Sequence, residues 1–331
     1  ITFDGVSFDN VGIRNKGASS CRVLPEKMGF NIKFNEFVQG QKLFGLSKLT
    51  LNNTVQDPTW LDEILTYDTY RRVGLPAQRV AHAVVTFNGT AMGIYNLIEP
   101  VNPQFLERTF GEGTGNLYEG PWDFTKSIEE VSLKDELTDM RTRDDLAALT
   151  AIVLSEADAG YTARLEAALD VERFLLLHAV DMVTVAWDGY PLDAWNFYLY
   201  DNPADGRFVF IGTGANWPYF ADNMDAAVNI DPFGLPPLWP NQTLAETGFI
   251  SRERVLMLPD LLNRLQTAMA TAFDAFDVPA LWAEFDRSKR VINSTDRTDP
   301  ATQADLTTFN DHVQQAYDFV EQRKAFLTDQ Q

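Results

Sequence analysis

Cysteine is almost absent, with Cys21 the only one among 331 residues. A single thiol excludes an internal disulfide and a cysteine-rich zinc site, and it leaves the redox compartment open. Histidine is scarce as well: His82, His178 and His312 lie far apart, without the spacing of four that pairs two ligands on a helical zinc site. Positive charge is short, 27 Lys and Arg against 47 Asp and Glu, for a formal net charge of −20. Nucleic-acid binding needs a cationic surplus to meet phosphates, so that partner class is set aside. No apolar run approaches the roughly 18 residues that cross a bilayer. No membrane span is therefore expected in this sequence. The chain starts at Ile1 rather than Met, which reads as loss of a signal segment and points to an extracellular or cell-surface setting. No G-x-S-x-G elbow accompanies the serines of "GASS", so a Ser/His/Asp hydrolase has no support.

What is present is apolar and aromatic: 45% hydrophobic and 12% aromatic residues in a chain this long can bury a substantial core. The length suits one large domain or two intimately joined lobes. Residues 1–53 read as strands and turns. In "KMGFNIKF" Met28, Phe30, Ile32 and Phe34 alternate with Lys27, Gly29, Asn31 and Lys33, giving a core face and a polar face that is twice cationic. "DPTWLDEILTYDTYRRVGLP" predicts a helix of about four turns, with Asp57 as N-cap, Pro58 in the first helical position and Gly74 then Pro76 as the stop. Its apolar stripe is Leu61, Ile64, Leu65 and Val73. "RVAHAVVTFNGTAMGIYNLIEPV" predicts a hairpin turning at Asn88 and Gly89. Residues 121–145 are charged and loop-like. From Leu149 the pattern is helical, interrupted by a strand pair, "AWNFYLY" and "RFVFI", joined by the turn composition "DNPADG". The expected order is α+β: a strand-rich N-terminal lobe with one long helix over residues 1–100, then a mostly helical lobe over 101–331 with a strand pair near 195–211, integrated into one domain. A ligand is expected between the lobes.

The phrases "VGIRNKGASS", "KMGFNIKF", "GIYNLIEPVNPQFLERTFG", "GNLYEG", "WDGYPLDAWNFYLY" and "QRKAFL" occur in the order found in the CotH family of spore-coat and invasin-like proteins. The chain resembles that family from Val11 to about Leu327. The resemblance implies an atypical protein-kinase fold of two lobes, ATP with Mg²⁺ or Mn²⁺ as cofactors, and transfer of phosphate to Ser or Thr of a secreted or surface protein. Phosphoryl transfer needs cations on the phosphates, oxygen ligands on the metal and a carboxylate on the acceptor hydroxyl. The cations available are Arg14, Lys16, Lys27 and Lys33, with solvated sheet-face lysines as the plainer alternative. Glu63, on the helix after the lysine strand, stands where a kinase keeps a glutamate that pairs with its lysine. Glu99 ends a hairpin strand at the expected hinge, where it could meet adenine or ribose or simply face solvent. Asp188 and Asn196 take the places of base and metal-binding amide, against ordinary turn-capping roles for both.

One stretch departs from the family. Where the CotH pattern runs from strand "RFVFI" into Pro-Trp-Asp-x-Asp, with both aspartates on the metal, this chain has "GTGANW", so Gly214 and Asn216 replace them. Glu119 in "GNLYEG" replaces a common lysine, exchanging a cation for an anion on the cleft side. Three readings follow: a working kinase in which other acids such as Asp222 or Asp225 replace the lost ligand; a pseudokinase that binds without turnover; and a structural or adhesive surface protein. "NMDAAVNIDP" scatters Asp and Asn without the calcium-loop spacing, which leaves Ca²⁺ an open candidate. His178 in "FLLLHAV" reads as a core histidine.

Overall fold

The computed structural model describes residues 1–17, 20–120, 122–134, 142–214, 248–296 and 298–329. Helices and sheets are mixed, as an α+β chain requires. A small hairpin, β1 (Thr2–Phe3) with β2 (Val6–Ser7), precedes a five-stranded antiparallel sheet. Its strands are β3 (Gly12–Lys16), β4 (Gly29–Lys33), β5 (Lys48–Asn52), β6 (Val80–Phe87) and β7 (Thr90–Ile98), in the order β3-β4-β5-β7-β6. Period-two alternation sorts the two faces. Phe30, Ile32, Leu49 and Leu51 point into a small core with Phe34, Leu43, Met92 and Tyr95. The opposite face carries Arg14, Lys16, Asn31, Lys33, Lys48, Thr50 and Asn52. The hairpin turn falls at Asn88 and Gly89, both at positive φ, which matches the twist of the flanking strands.

Helix α1 (Asp62–Arg72) starts later than the sequence pattern predicts. Asp57 is still its cap in effect, because its Oδ2 accepts from Asp62 N at 3.2 Å while Oδ1 accepts from Thr59 N at 2.8 Å. Residues 57–61 form a tight turn with Trp60 at φ 56°, so Pro58 is not the first helical residue. The helix is buried nearly all round rather than along one stripe: Glu63, Thr66, Tyr67 and Tyr70 are enclosed with Leu61, Ile64 and Leu65.

Helix α2 (Pro103–Phe110) follows, capped by Asn102 and closed by Gly111. Strands β8 (Leu117–Glu119), β9 (Ser132–Leu133), β10 (Phe197–Asn202) and β11 (Arg207–Gly212) make a second antiparallel sheet, ordered β11-β10-β8-β9. Helices α3 (Asp144–Leu154), α4 (Tyr161–Ala168), α5 (Val171–Thr184) and the single turn α6 (Tyr190–Asp193) come before β10. The helical run expected from Leu149 is thus broken at residues 155–160, where "SEADAG" supplies turn formers. A π-helical turn (Ile250–Val255) leads to α7 (Pro259–Ala275), α8 (Val278–Asn293) and the long α9 (Pro300–Asp329). One continuous apolar core runs from Ile64 and Tyr70 on α1 through Phe174 and Leu175 on α5 to Phe309 and Phe319 on α9. At about 1.5–3 kcal/mol for each fully buried large apolar side chain, that shared core ties the first sheet's helix to the helices at the end of the chain. Among the described residues no helix is long and apolar enough to cross a membrane.

Candidate active site

A cleft of about 1850 Å³ opens between the polar face of the five-stranded sheet and the segment that carries Asp188 and Asn196. The roof is set by strand register. Lys16 ends β3 opposite Gly29, where an added Cβ would come within 2.8 Å of the lysine Cγ, so only glycine leaves room for that side chain. Burial pushes the Lys16 ammonium down, and the carboxylates of Glu63 and Glu119 pull it back up. Among the described residues the Lys16 ammonium has no side-chain hydrogen bond and no ion pair, only the longer-range pull of Glu63 and Glu119. Glu63 is held from α1: Asn52 Nδ2 donates to Oε1 at 3.2 Å and Asn96 Nδ2 to Oε2 at 3.0 Å. Burial raises its carboxyl and the Lys16 charge lowers it. An incompletely compensated ammonium facing a cavity is what a phosphate site needs, since the anion supplies the missing partner.

The floor is built by a short loop between α5 and β10. Asn196, at φ 48°, donates from Nδ2 to Asp188 Oδ2 at 2.6 Å, fixing the carboxylate eight residues back. Gly189, next to Asp188, has space for no side chain: a Cβ there would lie 2.5 Å from Asp181 Oδ2. Asp181 is enclosed in α5, accepts from the Tyr70 hydroxyl, and has its carboxyl raised well above the usual range by burial, with the Asp188 charge adding to it. β11 then delivers Thr213 and Gly214 beside this pair. A Cβ on Gly214, which sits at φ 59°, would lie 3.0 Å from Asn196 Oδ1. Position 214 is therefore adjacent to the Asn196 amide oxygen, and it holds glycine. Gly214 N donates to the Tyr67 hydroxyl at 3.0 Å, and Tyr67 donates to Gln78 Oε1 at 3.0 Å.

Other expected site residues fall differently. Arg14 and Lys33 line the cleft, although Lys33 also pairs with Glu36 at 2.7 Å. Lys27 does not line it. Strand β4 begins only at Gly29, so the alternation does not extend to Lys27, whose Nζ meets Asp305 Oδ2 on α9 at 2.7 Å and lies 5.1 Å from the ring centres of Trp60 and Tyr95. It is a buried lock between sheet and last helix. Glu99 is likewise committed. Arg79 donates to both carboxylate oxygens at 2.9 and 3.0 Å, and Arg108 does so at 2.9 and 3.2 Å, leaving no free face for adenine or ribose. The cleft instead borders the next residues, Pro100 to Asn102. Glu119 does line the cleft, accepts from the Tyr198 hydroxyl at 2.7 Å and is ion-paired with Lys134. The Glu119 charge is thus compensated by Lys134. Asn216, Asp222, Asp225 and the stretch "NMDAAVNIDP" lie outside the described residues.

Sequence reasoning missed Lys48 and Lys134, Tyr67, Gln78 and the flanking Trp187 and Trp195, all on the cleft wall. A signal for Lys48 existed, because Lys48, Thr50 and Asn52 alternate as Asn31 and Lys33 do; the wall residues from other elements had none. Among the described residues no group of three His, Cys, Asp or Glu is placed to hold a metal ion.

The sequence profile of a family described as CotH kinase protein matches residues 13–327. Two curated relatives come from Rhizopus delemar. Spore coat protein homolog 1 is 25% identical over 207 residues, covering 58% of this chain and 32% of its own length. Invasin CotH7 is also 25% identical over 207 residues, with 33% of its own length covered. The aligned part therefore spans about a third of those relatives.

Proposed function

Since the chain belongs to the CotH kinase protein family, we propose that it has the two-lobed fold of an atypical kinase and is a phosphotransferase, diverged at its metal end, that moves phosphate from ATP to a Ser or Thr hydroxyl. One observation carries this reading: Lys16, beside Glu63, and the hydrogen-bonded pair Asp188 and Asn196 line one and the same cleft. Lys16 meets the nucleotide phosphates, and Glu63 balances its charge when they are absent. The acceptor oxygen forms a bond to the γ-phosphorus while the bond from that phosphorus to the β,γ-bridging oxygen breaks, and ADP departs. The hydroxyl proton passes to the Asp188 carboxylate, which the Asn196 amide orients. A divalent cation, Mg²⁺ or Mn²⁺, neutralises phosphate charge when bound, and Asn196 Oδ1 and the phosphates' own oxygens would hold it. With glycine at 214, protein-side negative charge there is reduced, so the cation is held weakly.

That reduction supports a second reading, a pseudokinase that keeps the nucleotide cleft for binding. The names of the relatives support a coat or cell-surface location and a surface protein as substrate or partner. The test is phosphate transfer from labelled ATP, with Mn²⁺ or Mg²⁺, to casein and to the chain itself. Transfer by the wild type that is lost in Asp188→Asn, at unchanged melting temperature, is the expected result. No transfer but a melting temperature raised by ATP selects the pseudokinase. Neither response removes the nucleotide from the account and leaves a structural surface protein.

A further inference from the structure

Glu63 is held by a row of side chains that reaches the far edge of the first sheet. His82 on β6, Asn96 on β7 and Asn52 on β5 are successive cross-strand partners, so they share one face. Asn52 and Asn96 donate directly to the Glu63 carboxylate. His82 has no bond to it, but its Nδ1 lies 3.0 Å from Asn96 Oδ1. The hydrogen-bond donors fix where the imidazole proton sits. The Asn96 Nδ2 hydrogens go to Glu63 Oε2 at 3.0 Å and to the Trp60 carbonyl oxygen at 3.4 Å. Turning the amide over would set its oxygen against that carboxylate and that carbonyl, so Oδ1 stays toward His82 and needs a donor. Burial pushes the His82 imidazole down to about 4, the bond to Asn96 opposes this, and Arg287 on α8, the helix packed against β6, adds to it. A neutral imidazole has a single N–H, and here that hydrogen belongs on Nδ1. Nε2 is then a bare acceptor, and it is the nitrogen that is buried without a partner among the described residues. An unpaired buried polar atom is unfavourable, and Val or Thr would suit a strand position without it. What histidine contributes at 82 is the Nδ1 donor.

We propose that His82, with its proton on Nδ1, is a positioning residue for phosphate capture: it fixes the Asn96 amide, which holds the Glu63 carboxylate in place beside Lys16. Without that donor two things happen to Glu63. Asn52 alone leaves Oε2 free to turn away, and a reversed Asn96 presents an oxygen to the carboxylate, which favours its protonated form. Either change reduces the negative charge that supports the Lys16 ammonium. The row therefore carries an effect from the edge strand β6, outside the cleft, to the one lysine that faces the cavity without an ion pair. The consequence for phosphate capture rests on the nucleotide reading, whereas the placing of the proton and of Glu63 does not.

The tautomer is read on the unmodified full chain, isotopically labelled, from nitrogen–proton correlations across the imidazole rings. With three histidines in the sequence, comparison with His82→Asn assigns the signals. A protonated Nδ1 at neutral pH is expected; a protonated Nε2, or an imidazolium, overturns the proposal even where a variant fails to fold. The second readout is the Lys16 ammonium, followed by the Cε signal of labelled lysine and assigned with Lys16→Met. His82→Leu keeps the bulk and removes the donor, so the Lys16 titration should move to lower pH. His82→Asn, whose Nδ2 takes the place of Nδ1, should return it to the wild-type position. Where the wild type responds to ATP with Mn²⁺, apparent affinity should fall about fivefold in His82→Leu, the order of one hydrogen bond, and recover in His82→Asn. An unchanged Lys16 titration in His82→Leu, or an unchanged affinity in a chain that responds to ATP, makes His82 a packing residue and overturns the proposal. A chain that shows both the tautomer and the Lys16 shift but no response to ATP keeps His82 in its place and loses the kinase reading.

Discussion

Arg323 on α9 donates from Nη2 to the carbonyl oxygen of Met182 at 2.7 Å and from Nε to Val183 O at 3.0 Å, within the last turn of α5. The guanidinium is fully buried. It satisfies carbonyls that a helix C-terminus leaves without partners and places positive charge at the negative end of the helix dipole. Because α5 ends directly before the loop of Asp188, the last helix of the chain determines where that loop departs. Arg323→Met should lower the unfolding free energy by about 2–4 kcal/mol, since bonds from a charged donor are worth about 1.5–3 kcal/mol and buried carbonyls are left unpaired. Urea denaturation of the pure variant measures it. A loss under about 1 kcal/mol would mean the carbonyls find other donors.

Lys16→Met is expected to separate stability from ligand response. Its ammonium is desolvated, with folded-state affinity for a proton below the ordinary 10.5, so below that folded value the charged lysine costs stability, and the cost fades as pH rises toward the unfolded value. Replacement by methionine should raise the neutral-pH unfolding free energy by about 1 kcal/mol, flatten the alkaline rise, and abolish any ATP-induced shift in melting temperature. A destabilised variant would show that Lys16 is a structural cation.

Gly214→Asp restores a carboxylate beside Asn196 Oδ1. The position is at φ 59°, where a non-glycine residue costs about 1–2 kcal/mol, with aspartate among the better tolerated. Mn²⁺ affinity, read by electron paramagnetic resonance, should rise at least tenfold, and further with Asn216→Asp. Unchanged affinity in the double variant would show that this loop is not the metal loop.

His178 is enclosed in α5 with Nδ1 lacking a partner, and burial pushes its imidazole down to about 3. The folded value lies below the unfolded 6.5, so the unfolded chain takes the proton first and stability is lost as pH falls below about 6.5. At 1.36 kcal/mol per unit, the loss from this residue reaches about 2 kcal/mol at about pH 5. His178→Leu should remove that share, seen as a smaller drop in urea midpoint between about pH 7 and about pH 5. An equal drop in both proteins assigns acid sensitivity elsewhere, His82 being the next buried imidazole.

Much of the fold was legible because short-range patterns carry it. Alternation in "KMGFNIKF" gave β4 and its faces, the Asn88-Gly89 turn gave the second hairpin, and the run of family phrases located Asp188 and Asn196. Errors came where a pattern was extended past its element. Alternation carries Lys27 onto the polar face, but the strand starts two residues later; the strand-end position makes Glu99 a hinge group, but two arginines, one of them on the following helix, enclose its carboxylate.

The two-residue repeat along the strands settled by itself which side chains share a face of the first sheet, Asn31 and Lys33 on one side and Phe30 and Ile32 on the other. Only the tertiary structure decided which charges compensate one another: Lys27 with Asp305, Glu119 with Lys134 and Arg323 with the end of α5 are separated by 15 to 278 positions or join separate helices. Such pairings depend on how helices and sheets pack, and burial then fixes whether a charge is a lock or a ligand site. Lys16 and Lys27 are eleven residues apart, yet Lys27 is ion-paired with Asp305 on the last helix while Lys16 faces the cavity, because Lys16 ends β3 on the polar face of the sheet and Lys27 lies before β4, outside the strand alternation.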